Sequence, residues 1–190
     1  MRTFALHTTE SAPEAAKAPL SAIETAWGFI PNLHRTLAES PVTLQAYDTL
    51  FSLFGQSSFT AAEQQVVYLA INVFNACEYC TAGHSVLARN AGLPADAIEA
   101  LRESQPLADP RHEALRRFAE TVVRERGRVG EEDLAAFFEA GFSRAQVLEV
   151  VLAVATKTIS NYTNHITHTP NDTFMAATAW TAPQRRAAGA

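Results

Sequence analysis

The segment that most restricts the fold begins at Thr60. A threonine followed three residues later by a glutamate, here Glu63, forms the capping box typical of a helix start. Residues 66–74 that follow are apolar except for Asn72, so almost no face of this helix suits contact with water. The segment therefore predicts a central, buried helix around which the other elements pack.

Helix signals dominate the rest of the chain, and strand signals are scarce. No Asn-Gly or Asp-Gly hairpin turn occurs, and apolar residues recur at helical rather than alternating spacing. We therefore predict an all-α protein. Further helices are expected over 13–26, 31–39, 41–55, 77–90, 95–104, 110–127, 131–140 and 144–168, with Ser40, Asp109 and Ser143 as N-caps. Residues 182–190 look like a frayed end.

The only two cysteines, Cys77 and Cys80, lie three residues apart. A structural disulfide across so short a loop would constrain the unfolded chain very little. Near the start no basic segment leads into an apolar one, and no window approaches the roughly 18–20 apolar residues of a membrane span. The expected location is cytoplasmic and reducing, where such a pair is typical of redox or metal chemistry.

Helix geometry places these two thiols beside a histidine. Residues three and four apart share one face of a helix, so Cys77, Cys80 and His84 line up. The free N–H groups and partial positive charge of a helix N-terminus stabilise a thiolate. The spacing therefore predicts a reactive thiol that exchanges a proton with an imidazole.

Three alternative interpretations remain open for this motif. Zinc would be held by Cys77, Cys80 and His84, with His165 or His168 as a fourth ligand. The cysteines could instead be inert core residues, which are common in proteins. His84 alone could be a core histidine with satisfied hydrogen bonds.

A carboxylate near the imidazole would complete a proton relay. Glu63 is one candidate, but its position favours the capping box. Glu78 is the other, and helix geometry turns it away from the face shared by Cys80 and His84.

The segments 28–33, 59–93 and 160–166 resemble the AhpD-like, carboxymuconolactone decarboxylase superfamily, and within it the peroxidase-related branch. The signature of that branch is a glutamate, then a CxxC pair, then a histidine after three further residues. The resemblance covers residues 25–175 and predicts an AhpD-like helical domain there, with an extension over 1–24 and a tail over 176–190.

The resemblance also implies an activity and an assembly. It implies reduction of hydroperoxides or disulfides, and assembly through helix faces as a homo-oligomer, commonly a trimer or hexamer. By position, Cys80 would be the nucleophile, Cys77 the proton donor and resolving thiol, and His84 the base that deprotonates Cys80.

One position departs from the signature, because Gln65 stands where the relay glutamate is expected. A glutamine can orient His84 by hydrogen bonding but cannot accept its proton. His165, on the last long helix, is a candidate second imidazole for the relay. The predicted catalytic set is therefore Cys80, Cys77, His84, Gln65 and His165.

Composition limits the partners. The net charge is −5 without a long run of basic residues, which excludes a nucleic-acid or anionic-membrane footprint. No Gly-rich nucleotide loop occurs and the motif needs no cofactor or metal, so a dithiol protein or a small thiol must supply electrons. Charged residues make up only 18% of the chain, which favours apolar faces between subunits or simply reflects an alanine-rich composition.

The function favoured by these features is a thiol oxidoreductase acting on hydroperoxides or disulfides. A lactone decarboxylase is a second hypothesis, although decarboxylases of that branch generally do not rely on a CxxC pair. A third hypothesis is a redox sensor or structural oligomer without turnover, which the loss of the relay glutamate would favour.

Overall fold

The computed structural model describes residues 4–183, and these form helices and connecting loops without a strand, which confirms the all-α prediction. None of the described helices combines the length and apolarity that crossing a bilayer requires. The α-helices are α1 (Glu14–Trp27), α2 (Asn32–Leu37), α3 (Pro41–Gly55), α4 (Ala61–Phe74), α5 (Glu78–Asn90), α6 (Ala95–Arg102), α7 (Pro110–Arg124), α8 (Glu131–Glu139) and α9 (Arg144–Thr167), followed by a 3₁₀ helix over Thr173–Thr178.

Helix α4 is central, as its sequence predicts. Its capping box is present: the Thr60 hydroxyl accepts from the Glu63 N–H at 3.2 Å, and the Glu63 carboxylate accepts from the Thr60 N–H at 2.8 Å. The apolar run is buried from Val66 to Val73, whereas Phe74 at its end is exposed, and the helix packs against α5, α7 and α9. Its stability therefore comes from apolar burial on every side rather than on a single face.

The apolar interior consists of two main clusters and a small third one formed by Val73, Trp180 and Ala182. The first joins α4 to α6, α7, α8 and α9, and contains no cysteine. The second joins α1, α2 and α3 to the start of α5 and to the 3₁₀ helix, and contains both Cys77 and Cys80. The start of α5 therefore places both cysteines in the second cluster, close to α9.

The cap at Ser40 differs from the prediction. Helix α3 does begin with Pro41, but the Ser40 hydroxyl makes no cap hydrogen bond to a backbone N–H. It lies 2.9 Å from the Thr43 hydroxyl instead. The backbone N–H of Thr43 is satisfied by the Ser40 carbonyl, so the side chain is not needed as a cap.

The chain after α9 folds back onto α5, which the sequence analysis did not anticipate. An ideal Cβ at Gly83 would lie 2.9 Å from the Met175 side chain, so glycine allows the 3₁₀ helix to approach closely. Ala182 is buried and donates its N–H to the Glu78 carboxylate at 3.2 Å. The expected fraying is therefore wrong at Ala182, and 184–190 lie outside the described residues. The division at residues 24 and 175 stays a prediction.

Candidate active site

A tight turn between α4 and α5 sets the position of Cys77. Ala76 adopts a left-handed conformation with φ of 54°. The Ala76 N–H donates to the Val73 carbonyl and the Cys77 N–H to the Asn72 carbonyl, which is the hydrogen-bond pattern of a Schellman motif. Cys77 then becomes the N-cap of α5, and Cys80 lies in the first turn.

Both cysteines are free thiols and both are buried. The Asn164 side-chain amide donates to Cys80 Sγ at 3.2 Å and lies 3.9 Å from Cys77 Sγ. Because Asn164 is on α9, the last long helix closes over the start of α5 and holds both sulfur atoms. One side chain thus contacts both thiols, and Cys80 also lines a pocket together with His84.

A buried lysine, Lys157 on α9, lies beside these thiols and was not in the predicted set. Its side chain is 0% exposed. Its ammonium donates to His84 Nε2 at 2.8 Å and also to Cys80. Within residues 4–183 no carboxylate forms an ion pair with it, so the negative charge that balances Lys157 must come from a thiolate.

His84 is held between two partners. Its Nδ1 lies 2.8 Å from the Gln65 side-chain oxygen, which is an acceptor, so Nδ1 carries the proton. Nε2 is then free to accept from Lys157. The contact with Gln65 is the orienting hydrogen bond that the sequence predicts. Direct deprotonation of Cys80 by His84 is not what the geometry favours, because Lys157 occupies the imidazole nitrogen that would act.

Electrostatics distinguish the two thiols. Burial alone would raise the pKa of Cys80, but the Cys77 hydrogen bond, the Lys157 charge and the polar side chains of Ser160 and Asn161 lower it to about 5. The hydrogen bond to Cys80, burial and the Cys80 charge raise the pKa of Cys77. Cys80 is therefore a thiolate at neutral pH, while Cys77 keeps its proton.

The pKa values of the two basic side chains in the site, His84 and Lys157, are also shifted. Burial, and then the Lys157 charge, lowers the pKa of His84 well below its ordinary value, so the imidazole stays neutral. Burial also lowers the pKa of Lys157, although the charges of Cys80 and Cys77 act in the opposite direction. A lysine of this kind is stably charged only while a thiolate lies next to it.

An apolar pocket leads to Cys80. It has a volume of about 50 Å³, and Lys157 and His84 lie in its wall next to Cys80. His34 also lines it, and burial lowers the pKa of this histidine to about 4, so it is neutral. Among the described residues nothing bonds to His34 Nδ1. The remaining wall is apolar or aromatic and includes Trp27, Leu33, Tyr47, Phe51, Phe174 and Met175.

The other sequence candidates lie elsewhere. His165 is exposed and lines a separate pocket beside Cys77. Glu63 pairs with Arg111 at 2.8 Å in addition to its capping box, which confirms the structural role favoured for it. Glu78 bonds to Ala182, away from His84. The described part of the chain contains no group of three or more His, Cys, Asp or Glu side chains arranged to hold a metal ion.

The residues missed by sequence reasoning form one stripe on α9. They lie at helical spacing and are all buried although they are polar: Lys157, Ser160, Asn161 and Asn164. The sequence feature that could have revealed them is the recurrence of polar residues on one face of a largely apolar helix. The sequence could not show which side chains they contact, because Lys157 lies 73 residues from His84 along the chain.

Comparison with protein families gives one match. Residues 42–121 match the carboxymuconolactone decarboxylase family. This segment begins in α3 and ends in α7, and it includes both cysteines and His84. No curated protein matches the chain significantly.

Solved structures show the same fold. A peroxidase-related protein from Ralstonia eutropha with an alkylhydroperoxidase AhpD core has a TM-score of 0.81 and 20% identity, over 90% of this chain and 93% of that one. A peroxidase-related protein from Silicibacter has a TM-score of 0.76 and 17% identity, over 91% and 92%. The debrominase Bmp8, as a cysteine-to-alanine variant with 2,3,4-tribromopyrrole, has a TM-score of 0.76 and 15% identity, over 94% and 95%.

Proposed function

We propose that this chain, of which residues 42–121 match the carboxymuconolactone decarboxylase family, is a thiol oxidoreductase that reduces hydroperoxides through Cys80 and Cys77. The observation that carries this proposal is the buried Lys157, which contacts Cys80 and has no paired carboxylate in the described part of the chain. A charge in this position has little structural use, because an apolar side chain of similar size would serve at least as well.

The first step is attack on the peroxide. The Cys80 thiolate attacks the terminal oxygen of ROOH, the O–O bond breaks, and Cys80 becomes a sulfenic acid while the peroxide leaves as alkoxide. Cys77 gives its proton to the alkoxide, which leaves as alcohol. The high pKa of Cys77 means that this thiol still holds its proton when the step begins.

The second step closes a disulfide. The Cys77 thiolate attacks the Cys80 sulfur, and the hydroxyl group leaves with the bonding electrons. Lys157 gives a proton to the leaving hydroxide, forming water and a neutral amine. Because burial lowers the pKa of Lys157, the loss of the neighbouring thiolate favours release of this proton.

Positioning residues support both steps. Gln65 fixes the tautomer of His84, and His84 in turn accepts from Lys157, so the ammonium points in a defined direction. An orienting chain of hydrogen bonds therefore links Gln65, His84, Lys157 and Cys80 in that order. In this arrangement a glutamine suffices, because Lys157 rather than a carboxylate exchanges the proton.

The pocket favours a hydroperoxide with a small apolar group. Its volume of about 50 Å³ accommodates only a few non-hydrogen atoms, and its aromatic wall is poorly suited to a charged substrate. His34, neutral and without a partner at Nδ1 among the described residues, is placed to hydrogen-bond a substrate oxygen.

The decisive experiment follows hydroperoxide consumption by the purified, reduced protein with a dithiol present. We expect turnover of tert-butyl hydroperoxide by the wild type and none by Cys80→Ser. Once the dithiol is removed, reduced Cys77→Ser should consume a single equivalent and leave a sulfenic acid that dimedone traps, since no resolving thiol remains.

Other outcomes would point to the competing functions. Reactive thiols without turnover would contradict the proposal and favour a redox sensor. Release of bromide from 2,3,4-tribromopyrrole, with hydroperoxide untouched, would replace the peroxide by a halogenated ring as substrate. Turnover of a lactone acid by Cys80→Ser would favour a decarboxylase.

A further inference from the structure

A second pocket reaches the other thiol. It has a volume of about 170 Å³ and is lined by Cys77 but not by Cys80, whereas the apolar pocket is lined by Cys80 but not by Cys77. Tyr79 borders both pockets. The two cysteines, although adjacent on the helix, are therefore approached from two different cavities.

We propose that this second cavity, the Cys77 pocket, binds the reducing thiol, and that the reductant is a small hydrophilic thiol. This step rests on the proposed function, since it describes how the disulfide formed there is reduced. It separates the oxidant, which reaches Cys80, from the reductant, which reaches Cys77.

The lining of the Cys77 pocket favours a hydrophilic molecule. It includes two imidazoles, those of His165 and His168, and the hydroxyl of Thr169. It also includes Asn164, which is only 6% exposed, and among the described residues no donor reaches the Oδ1 of this side chain. A buried acceptor without a donor is costly unless a ligand or water satisfies it. The hydroxyl or amide groups of a small polar thiol would supply such a donor.

Attack at Cys77 is also the favourable direction for the chemistry. The reductant releases its proton to solvent, from which neutral Lys157 regains one, and the reductant sulfur attacks Cys77 while the Cys77–Cys80 bond breaks. The electron pair leaves on Cys80, the thiol with the lower pKa and hence the better leaving group. The restored Cys80 thiolate again pairs with the Lys157 ammonium.

A second thiol completes the reduction. It attacks the reductant sulfur of the mixed disulfide, Cys77 leaves and takes the proton of that second thiol, and the reductant departs as its own disulfide. Two electrons thus pass from two thiol groups to one disulfide. A dithiol supplies both groups within one molecule.

The test measures the two half-reactions separately. The protein is oxidised to the disulfide with diamide, so that the result does not depend on hydroperoxide activity, and its reduction by dithiothreitol is followed by stopped flow. Thr169→Trp narrows the Cys77 pocket, and Leu87→Trp is the matched control because Leu87 lines the apolar pocket.

We expect Thr169→Trp to slow reduction by at least about tenfold and to leave oxidation by tert-butyl hydroperoxide within about twofold of wild type. Leu87→Trp should slow oxidation and leave reduction unchanged. His165→Trp, an exposed position on α9, repeats the test if Thr169→Trp does not fold.

Two results would overturn the inference. One is reduction at the wild-type rate in both Cys77-pocket variants. The other is faster reduction by an apolar aromatic thiol than by dithiothreitol, which would assign the reductant to the apolar pocket. Failure of hydroperoxide oxidation with normal, pocket-dependent reduction would instead contradict the proposed function alone.

Discussion

Arg116 and Lys157 are both buried cations, but their surroundings differ. Arg116 is 8% exposed and binds two carboxylates, Glu113 at 2.7 and 2.8 Å and Glu120 at 2.6 Å. Lys157 is 0% exposed and contacts an imidazole and a thiol. Hydrogen bonding to Glu113 raises the pKa of Arg116, whereas burial lowers the pKa of Lys157.

The difference separates a structural cation from a functional one. Arg116 keeps a permanent charge because its carboxylates are always present, and the resulting pairs tie neighbouring turns of α7 together. Lys157 has a counter-charge only while Cys80 is a thiolate. Its protonation is therefore linked to the oxidation state of the thiol, which is useful in a redox site and of little use elsewhere.

Among the variants that test this difference, those at Lys157 should show the largest change in thiol reactivity and turnover. In Lys157→Met, loss of the neighbouring positive charge raises the pKa of Cys80, and turnover falls about 100-fold at pH 6. Iodoacetamide alkylation against pH measures the first effect, and hydroperoxide consumption the second. Lys17→Met, at a solvent-facing lysine, is the control. An unshifted alkylation profile would show that Lys157 does not supply the positive charge that stabilises the Cys80 thiolate.

Replacing Arg116 should affect stability and not reactivity. Arg116→Met leaves Glu113 and Glu120 without their partner, so we expect the free energy of unfolding to fall by about 2 kcal/mol. Urea denaturation measures this loss. The thiol alkylation profile should match wild type, and a shift in it would mean that the two cation sites are coupled.

The pH dependence of stability should differ between two forms of the protein, the reduced wild type and the double variant Cys80→Ser, Lys157→Met. Because the folded protein lowers the pKa of Cys80 to about 5, the unfolded chain binds more protons between pH 5 and the ordinary thiol pKa of about 8.5. The stability from this group is full above that range and is lost as pH falls through 5, with a slope of up to about 1.4 kcal/mol per pH unit. Urea titrations of both forms from pH 5 to 8.5 test this.

The double variant Cys80→Ser, Lys157→Met serves as the control for that measurement. It has neither the thiol nor the lysine whose charge depends on that thiol, whereas His34 is present in both forms. Its stability should therefore depend less steeply on pH over the same interval. Equal slopes in the two forms would contradict a low pKa for Cys80.

Changing Gln65 should have the smallest effect, and it tests whether His84 orients Lys157. In Gln65→Glu, a carboxylate beside Nδ1 raises the pKa of His84, and a protonated imidazole cannot accept from Lys157. Turnover at neutral pH should stay within about tenfold of wild type, with an added loss as pH falls. Gln65→Met removes the acceptor without adding charge, so its turnover should not show this added loss at low pH. Identical pH profiles in the two variants would argue against a role for His84 in orienting Lys157.

Helix starts were largely predictable because their signals are local. The capping boxes at Thr60 and Ser143 and the proline at position 41 act over three or four residues, and each lies where the sequence predicts a helix to begin. Ser40 shows the limit of such reasoning. Its position is correct, but the neighbouring Thr43 hydroxyl became its partner.

Helical spacing also predicted that Cys80 and His84 share a face, and both line one pocket, whereas Cys77, at the N-cap, lines another. The orienting bond from Gln65 followed from family resemblance and was confirmed. The role of His165 was not supported by contact, because it lies at the surface beside Cys77 rather than next to His84. Spacing within α9 could not reveal which of its faces would meet α5.

By itself, the sequence determined the helical architecture, the buried α4 and a thiol pair at a helix start with an imidazole one turn further on. Only the tertiary structure decided that Lys157 stands between Cys80 and His84, and that the two thiols lie in the walls of different cavities. The reason is physical. Capping and helical periodicity act within a few residues, whereas the charge state of a buried lysine depends on burial and on a thiol brought to it from another helix.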